Sequence, residues 1–180
     1  MINKVTTVDN WLKLAKNKLK EAQISSYSLD SELILCNILK VDRTTILAYP
    51  KRKLTKQNIF HANHFLKRRL QYDPLAYIFH EKEFFGRKFY INESVLVPRP
   101  ETEEIIEQLK NNLVNNNEAL LDIGTGSGIL AVTIAKEFQN KNIKAYASDI
   151  SKDALAVAKD NATMHNANIS FIKSNLLENI

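Results

Sequence analysis

Three glycines stand at every second position of the segment LLDIGTGSGILAVTIAK, residues 120–136, in a chain that has only four. Glycines between a strand and a helix let the backbone approach a ligand closely, and the helix adds the positive end of its dipole. Gly124, Gly126 and Gly128 give the spacing G-x-G-x-G. A dinucleotide site needs G-x-G-x-x-G, and Ile129 stands where its last glycine would be. The segment therefore predicts a nucleotide-like ligand other than a dinucleotide, with a purely structural turn as the alternative.

Two acidic residues near this turn narrow the choice of ligand. Asp122 lies two residues before the first glycine, where it would repel a pyrophosphate but suit an ammonium or sulfonium group. Asp149 lies 21 residues after Gly128, at the end of the next predicted strand, where an acid can accept both ribose hydroxyls of an adenosine. S-adenosylmethionine has all of these groups, and we therefore predict it as the cofactor.

The glycine turn needs a strand before it and a helix after it, and the sequence from residue 119 alternates in this way. Three short apolar segments predict strands: ALLDIG, IKAYASDI and ISFIKSN. The segments between them, GILAVTIAKEFQ and KDALAVAKDNATMHN, predict helices. Such alternation predicts an α/β fold with a parallel sheet and right-handed crossovers. Before the first strand, ETEEIIEQLKNNLV predicts a helix that begins with acidic residues.

The N-terminal part of the chain predicts a bundle of four or five helices. Apolar residues recur at helical spacing in four stretches, at about 7–22, 28–40, 44–48 and 55–70. Thr7 or Asp9 would cap the first helix. After Pro74, aromatic and β-branched residues on both sides of Gly86 predict a β-hairpin. The predicted domains are a helical domain at 1–73, a β-hairpin linker at 74–100 and an α/β domain at 101–180.

Charge differs between the two parts of the chain. Residues 1–73 hold 14 Lys or Arg and 6 Asp or Glu, a net charge of +8. Residues 74–180 hold 11 and 14 of these residues, a net charge of −3. The basic part suits an acidic or RNA-containing partner, and a solvated lysine-rich surface explains the charge equally well.

The overall composition, 44% apolar and 25% charged, is that of a soluble globular protein. No stretch approaches the ~18 consecutive apolar residues of a membrane span, and the N-terminus lacks the apolar core of a signal peptide. A single cysteine, Cys36, excludes an intrachain disulfide and predicts a buried structural thiol rather than a nucleophile. His61 and His64 are best interpreted as solvated polar residues, so no metal site is predicted. We expect a cytoplasmic location.

At four features the chain resembles the N5-glutamine methyltransferases that modify peptide chain release factors. One is the helical N-terminal domain that ends in RR, and another is PLAYI followed by EFFGRKF. The third is VLVPRPETEEIIE, in which PRPETE is the most specific part. The fourth is LLDIGTGSGILAVTIAKE followed by ASDISKDALAVAKDNA. The resemblance covers essentially all 180 residues.

This resemblance implies a Rossmann-like class I methyltransferase domain, of which about three strands are present. The reaction would transfer a methyl group from S-adenosylmethionine to the side-chain amide of the glutamine in the Gly-Gly-Gln motif of class I release factors. The helical domain would help to recognise the factor. The residues implied in cofactor binding are Gly124, Thr125, Gly126, Ser127 and Gly128 around the cofactor, Asp149 at its ribose and Asn175 near its adenine.

The sequence also departs from the family pattern. Asn175 stands where the family usually has an acid, and Phe79–His80 stands where it favours a glycine shortly after PLAYI. The resemblance favours a role in the pocket wall for Arg99 and Glu101. The aromatic set of Phe84, Phe85, Phe89 and Tyr90 could stack on bases, but core packing of the hairpin is the better interpretation.

The family orients its acceptor amide with an Asn-Pro-Pro-Tyr motif, and the 180 residues contain no Asn-Pro pair. We therefore assign no catalytic residue and expect little or no methyltransferase activity from the isolated chain. A complete member of the family is expected to be a monomer. Two other functions stay open. One is a DNA or RNA amino-group methyltransferase, and the other is a non-catalytic module that binds a release factor. Direct binding to nucleic acid is left undecided.

Overall fold

The computed structural model describes residues 6–111 and 118–178. The chain divides into two compact units, Met1–Phe79 and His80–Ile180. The described residues are helical in the first unit and mixed α/β in the second, so the predicted fold class is confirmed. None of the described helices combines the length and the apolar character that crossing a bilayer requires.

The described residues of the first unit, 6–79, form five helices. They are α1 (Val8–Glu21), α2 (Tyr27–Leu39), α3 (Arg43–Ala48), α4 (Lys56–Leu70) and α5 (Leu75–Phe79). Side chains cap three of them, because the first N–H groups of a helix lack partners within it. The Thr7 hydroxyl accepts from Asn10 N–H, Asp42 accepts from Thr45 N–H, and Thr55 forms a capping box with Asn58. The predicted cap at Thr7 is therefore confirmed.

The apolar faces of these helices form one core. Its fully buried members include Val8, Leu19, Ile34 and Leu35, and Trp11 is 2% exposed. Two acids of α2 are buried beside this core and each has a cationic partner. Glu32 lies 2.7 Å from Lys16 Nζ and 2.7 Å from Arg43 Nη2, and Asp30 lies 2.7 Å from Arg69 Nε.

The described part of the second unit begins with a β-hairpin and later contains two strand–helix repeats followed by a third strand. The hairpin is β1 (Glu81–Phe84) and β2 (Arg87–Tyr90). A turn of 3₁₀-helix at Pro100–Thr102 leads into α6 (Glu103–Asn111). Then follow β3 (Ala119–Ile123), α7 (Ile129–Glu137), β4 (Lys144–Asp149), α8 (Lys152–Met164) and β5 (Ile169–Lys173). The strands β3, β4 and β5 pair in parallel in that order, as predicted.

The segment after Pro74 differs in part from the prediction. Residues Leu75–Phe79 form a short helix, so the hairpin occupies only part of the predicted linker at 74–100. The Pro74 carbonyl accepts the first hydrogen bonds of this helix from Tyr77 and Ile78. The hairpin lies within the second compact unit, and the predicted domain boundaries at 73 and 100 stay predictions. The end of the predicted helix after Asn111 lies outside the described residues.

The hairpin packs through its aromatic residues, as predicted. Phe84 and Phe89 are each 1% exposed, and their rings meet edge to face with centroids 6.3 Å apart. His80, where the family favours glycine, has a φ of 54°, a left-handed conformation that glycine adopts most easily. Its ring stacks on Tyr90 at 5.9 Å. A turn with positive φ is thus present at His80 in this chain.

Candidate functional site

The glycine turn joins β3 to α7 and is attached to the end of β4. The N–H groups of Gly124 and Thr125 both donate to the Ser148 carbonyl, at 2.8 and 2.9 Å. Gly124 and Gly126 have φ values of 72° and 55°. Because a β-carbon at either glycine would meet nothing within 4 Å, both present their backbone to open space.

Gly128 has a different environment from the other two glycines. A β-carbon built on it would lie 2.9 Å from Ala158 Cβ and 3.0 Å from Ala158 Cα, on α8. Its missing side chain thus permits close packing of α7 on α8. The structure therefore gives this glycine a packing role, and its predicted contact with the cofactor stays a prediction.

Asp122 lies at the start of the turn and is half-buried. Burial raises the pKa of its carboxyl above the ordinary value, and the charge of Asp149 raises it further. Two hydrogen bonds lower this pKa: one from the Thr125 hydroxyl, at 2.6 Å, and one from the Ala131 backbone. The carboxyl therefore ionises less readily than a solvated aspartate, and a cation at this site would favour its ionised form.

Asp149 ends β4 and holds the turn from the other side. Its Oδ2 accepts from Gly126 N–H at 2.9 Å, and its Oδ1 accepts from Ser151 N–H at 2.9 Å. A carboxylate has about four acceptor positions, so two of them stay available to a ligand such as a ribose. The sequence analysis predicted that Asp149 ends this strand, but it did not predict that the same carboxylate also fixes the glycine turn.

A cavity of about 210 Å³ opens beside the turn. It brings the glycine turn together with the PRPETE segment, and its walls are formed by Leu96, Pro98, Arg99, Thr102, Asp122, Gly124, Thr125, Gly126, Ser127, Ile129 and Leu130. Sites for whole small molecules usually have about 300–1,000 Å³. This cavity therefore has room for one end of such a ligand.

Three predicted cofactor residues, Gly128, Asp149 and Asn175, do not form the wall of this cavity. Asp149 is one hydrogen bond away from it, through Gly126. Asn175 follows β5, one residue after Ser174, whose N–H donates to the Asp149 carbonyl at 3.1 Å. The Asn175 side chain is exposed and donates to Glu178 at 2.9 Å. Glu101 of PRPETE is exposed and is also outside the cavity wall.

The most informative residue that the sequence analysis missed is Asn161. It is fully buried on α8, and its side chain contacts both the glycine turn and β2. Its signal in the sequence is an asparagine within the apolar stripe of Ala154, Ala158 and Ala162. A polar residue on a buried helical face needs hydrogen-bond partners, so this position could have been singled out.

The first unit has a separate groove of about 670 Å³ between α1 and α4. Its walls are Thr6, Asn10, Trp11, Leu14, Lys18, Ile59, Asn63, Leu66, Lys67 and Leu70. Between two of these residues, Trp11 Nε1 donates to Asn63 Oδ1 at 2.9 Å. Among the described residues, these walls contain two lysines and no acid, so their formal charge is positive.

The remaining candidates have no reactive arrangement in the described part of the chain. There, no three His, Cys, Asp or Glu side chains are grouped to hold a metal ion, and His61 and His64 are exposed. Burial raises the pKa of the half-buried Cys36 thiol, which disfavours the thiolate that a nucleophile needs.

The chain is similar to known methyltransferases in both of its units. Residues 10–79 match the family described as PrmC N-terminal domain, and residues 100–180 match the methyltransferase small domain. A release factor glutamine methyltransferase of Nitratidesulfovibrio vulgaris is 39% identical over 159 residues, which are 88% of this chain and 53% of that protein. One of Bacillus cereus is 37% identical over 150 residues, 81% of this chain and 52% of that protein. The chain thus spans about half the length of these curated relatives.

Among solved structures, a methyltransferase from Pyrococcus furiosus is similar with a TM-score of 0.43 and 25% identity. The similarity covers 62% of this chain and 53% of that chain.

Proposed function

The chain belongs to the family of the release factor glutamine methyltransferases, and from this premise we propose that it binds S-adenosylmethionine and serves the methylation of a glutamine amide in a release factor. One observation carries the proposal. The glycine turn and the carboxylates of Asp122 and Asp149 lie together at the carboxyl ends of β3 and β4. Open α/β sheets bind their ligands at this edge.

The cavity fits the methionine end of the cofactor by charge. Asp122 lies at the base of the glycine turn, where its carboxylate would attract the ammonium and sulfonium groups. Arg99 forms part of the wall with Leu96 and Pro98, and its guanidinium would pair with the carboxylate of the methionine. The two free acceptor positions of Asp149 would take the ribose hydroxyls. Asn175 would serve the adenine amine through its side-chain carbonyl.

When bound, S-adenosylmethionine would supply a methyl group on a positively charged sulfur. The methyl would pass to the glutamine amide nitrogen, which would leave S-adenosylhomocysteine and release one proton to solvent. An amide nitrogen is a poor nucleophile because its lone pair is delocalised, so the acceptor must be held in line with the methyl group. The residues of this chain position the cofactor, and none of them is assigned to the acceptor amide.

The helical unit is proposed to contact the release factor. Its groove is lined both by apolar side chains, such as Leu14 and Leu66, and by the cations Lys18 and Lys67. A protein segment with apolar and acidic residues would complement this surface, because opposite charges steer association and select the partner. The proposed location is the cytoplasm, where release factors act.

Titration calorimetry with S-adenosylmethionine and S-adenosylhomocysteine tests the cofactor. We expect both to bind, and NAD, which places a pyrophosphate on the turn, not to bind at the same concentration. Absence of binding by both sulfur compounds at millimolar concentration, or preferential binding of NAD, would contradict the proposal. Transfer of labelled methyl to a release factor, with a factor changed at its Gly-Gly-Gln glutamine as the control, is measured separately. Because no residue of the chain is assigned to the acceptor amide, we expect the 180 residues alone to transfer little or no methyl.

The basic helical unit also favours one second function, the methylation of an amino group in DNA or RNA. Binding of the chain to DNA, ribosomal RNA and a release factor separates the two. We expect the factor to bind in preference to either nucleic acid. Binding to nucleic acid that weakens steeply with salt, without binding to the factor, would favour the second function instead.

A further inference from the structure

Asn161 is a fully buried polar residue on a helical face that is otherwise apolar. It lies on α8 and is 0% exposed, while its neighbours on that face include Ala154, Ala158 and Ala162. A buried amide is stable only if its donors and acceptor find partners. The identity of those partners therefore indicates what the side chain does.

The Asn161 amide forms three hydrogen bonds with the main chain. Its Oδ1 accepts from Tyr90 N–H at 2.7 Å, and its Nδ2 donates to the Tyr90 carbonyl at 2.9 Å. The same Nδ2 donates to the Ser127 carbonyl at 2.8 Å. Both hydrogens of the side-chain amide are thus used. With Tyr90, the side-chain amide of Asn161 exchanges two hydrogen bonds, as the main chain of a neighbouring β-strand would.

One of these partners, Ser127, lies in the cavity wall, and the other, Tyr90, precedes a segment that reaches that wall. Ser127 is part of the turn and of the cavity wall. Tyr90 ends β2, and the chain runs on through the buried residues Ile91 and Val95 to the wall residues Leu96, Pro98 and Arg99. A single side chain that does not line the cavity thus fixes both the turn and the segment that leads to these wall residues.

We propose that Asn161 is a positioning residue, which sets the separation of the glycine turn from the Leu96–Arg99 wall and thereby the affinity for the methionine end of the cofactor. The ligand's identity rests on the proposed function. Asn161 acts through Ser127 and Tyr90 and touches no ligand itself. Other residue types cannot replace it. Aspartate would set an oxygen against the two carbonyls, and alanine would leave three main-chain groups without partners.

The test compares Asn161→Ala with Val157→Ala, a change at a buried position of the same helix. Three quantities are measured for each: the unfolding midpoint, hydrogen exchange of the amides of Tyr90, Gly126 and Ser127 without ligand, and the affinity for S-adenosylhomocysteine. We expect Asn161→Ala to speed exchange at these amides and to weaken binding about ten-fold or more, as the loss of one or more hydrogen bonds would. Val157→Ala should lower the midpoint but preserve both the exchange pattern and the affinity.

Asn161→Asp provides a second measurement that stays informative if the alanine variant does not fold. Once protonated, its carboxyl regains a donor, so we expect its affinity for S-adenosylhomocysteine, relative to the wild-type chain, to recover as the pH is lowered. A side chain that acted only through general stability would show no such recovery.

Two results would overturn the proposal. In one, Asn161→Ala speeds exchange at Tyr90 but leaves ligand affinity unchanged. In the other, Val157→Ala reduces the affinity as much as Asn161→Ala does. If the wild-type chain does not bind S-adenosylhomocysteine, the proposed cofactor is wrong, and exchange at Gly126 and Ser127 then decides whether Asn161 positions the turn. Unchanged exchange there in Asn161→Ala would refute the positioning role as well.

Discussion

At the scale of single residues, two carboxylates on neighbouring strands differ in their hydrogen-bond partners and in how readily they ionise. Asp149 has both oxygens bound to backbone N–H groups of the turn and of the start of α8. Asp122 has a hydroxyl and one backbone group as partners, and its burial makes ionisation costly. The sequence predicted acids at both places. It could not predict the difference in their ionisation, because that depends on packing by residues distant in the chain.

Asp122→Asn should raise the stability of the unliganded chain increasingly as pH rises. The pKa of Asp122 is raised in the folded chain, so its contribution is most favourable below the ordinary value of an aspartate and is lost as the pH rises through the folded pKa. Asparagine does not titrate and avoids this loss. Urea unfolding of both proteins at several pH values between acidic and neutral measures the difference.

The same variant should bind S-adenosylmethionine more weakly, about ten-fold or more, because the sulfonium and ammonium groups lose their counter-charge. A stability difference that shrinks toward neutral pH, or an unchanged affinity, would contradict the assignment of Asp122.

Gly126→Ala and Gly128→Ala should separate ligand binding from packing. Both glycines have positive φ, which costs an alanine about 1–2 kcal/mol. At Gly128 the new methyl group would also meet Ala158 at 2.9 Å, and such overpacking costs about 1–3 kcal/mol more. We therefore expect a larger loss of unfolding free energy for Gly128→Ala.

At Gly126 the methyl group has space in the fold but would occupy the ligand's side of the turn. Its larger effect should be on the affinity for S-adenosylhomocysteine, measured by calorimetry. If Gly126→Ala proves the more destabilising of the two variants, the packing role of Gly128 is wrong.

At the scale of elements, the predicted helices agree with the structure wherever a local signal defines their ends. Thr7 and Thr55 begin helices as threonine caps commonly do. The helix Leu75–Phe79 differs from the prediction, which places a β-hairpin directly after Pro74. Proline has no N–H to lose at a helix start, and its carbonyl can accept the first bonds of the next helix. The same residue therefore separates two helices.

Lys40→Gly should stabilise the end of α2. Lys40 is the C-cap of this helix with a φ of 52° and a ψ of 45°, and it is exposed. Glycine adopts this left-handed conformation without the steric cost of a β-carbon. We expect a gain of about 0.5–1 kcal/mol in the free energy of unfolding, measured by urea denaturation.

Lys40→Ala is the matched control for this change. It removes the same charge but keeps a β-carbon, so it should give no gain. An equal gain from both variants would mean that charge and not backbone conformation decides stability here.

Glu32→Gln should destabilise the helical unit by about 1–2 kcal/mol at neutral pH, because Lys16 and Arg43 would lose their carboxylate partner but remain partly solvated. Burial raises the pKa of Glu32, but the hydrogen bonds and charges of these two cations outweigh it and hold the pKa below its ordinary value. The stability that this carboxylate contributes is present above that ordinary value and is lost as the pH falls through the folded pKa.

The difference between Glu32→Gln and the wild-type chain should therefore shrink in acid, as followed by chemical unfolding at several pH values. Glu21→Gln, at an exposed position of α1, serves as the control and should stay within about 0.5 kcal/mol of the wild-type chain. A difference for Glu32→Gln that is independent of pH would contradict the role of the ion pairs.

At the scale of the whole molecule, the two units differ in charge and in the kind of cavity they contain. The first is basic and has a groove lined by apolar residues and two lysines, and the second has a small cavity with an acid at the glycine turn. The sequence predicted the charge difference and the glycine turn, since both follow from residues near one another in the chain. It could not predict the groove, which α1 and α4 form together. Nor could it predict the hydrogen bonds of Asn161, whose partners lie 34 and 71 residues away.

Reversing the charge at the groove, with Lys18→Glu and Lys67→Glu together, should weaken binding of a release factor and reduce the salt dependence of that binding. Lys51→Glu with Lys56→Glu changes the net charge equally on exposed residues outside the groove, and should have a smaller effect. Both pairs are compared by surface-based binding at low and high salt. Equal losses would mean that the general positive charge of the unit, and not the groove, attracts the partner.

The attachment of Asp149 to the main chain has a consequence for the energetics of ligand binding. Because the N–H groups of Gly126 and Ser151 already fix both oxygens of this carboxylate, its rotamer is chosen by folding. Under the proposed function, a ribose would meet an acceptor that is already oriented, and little side-chain entropy would be lost on association. Preorganisation of this kind lets a small contact area contribute more of its interaction energy to affinity.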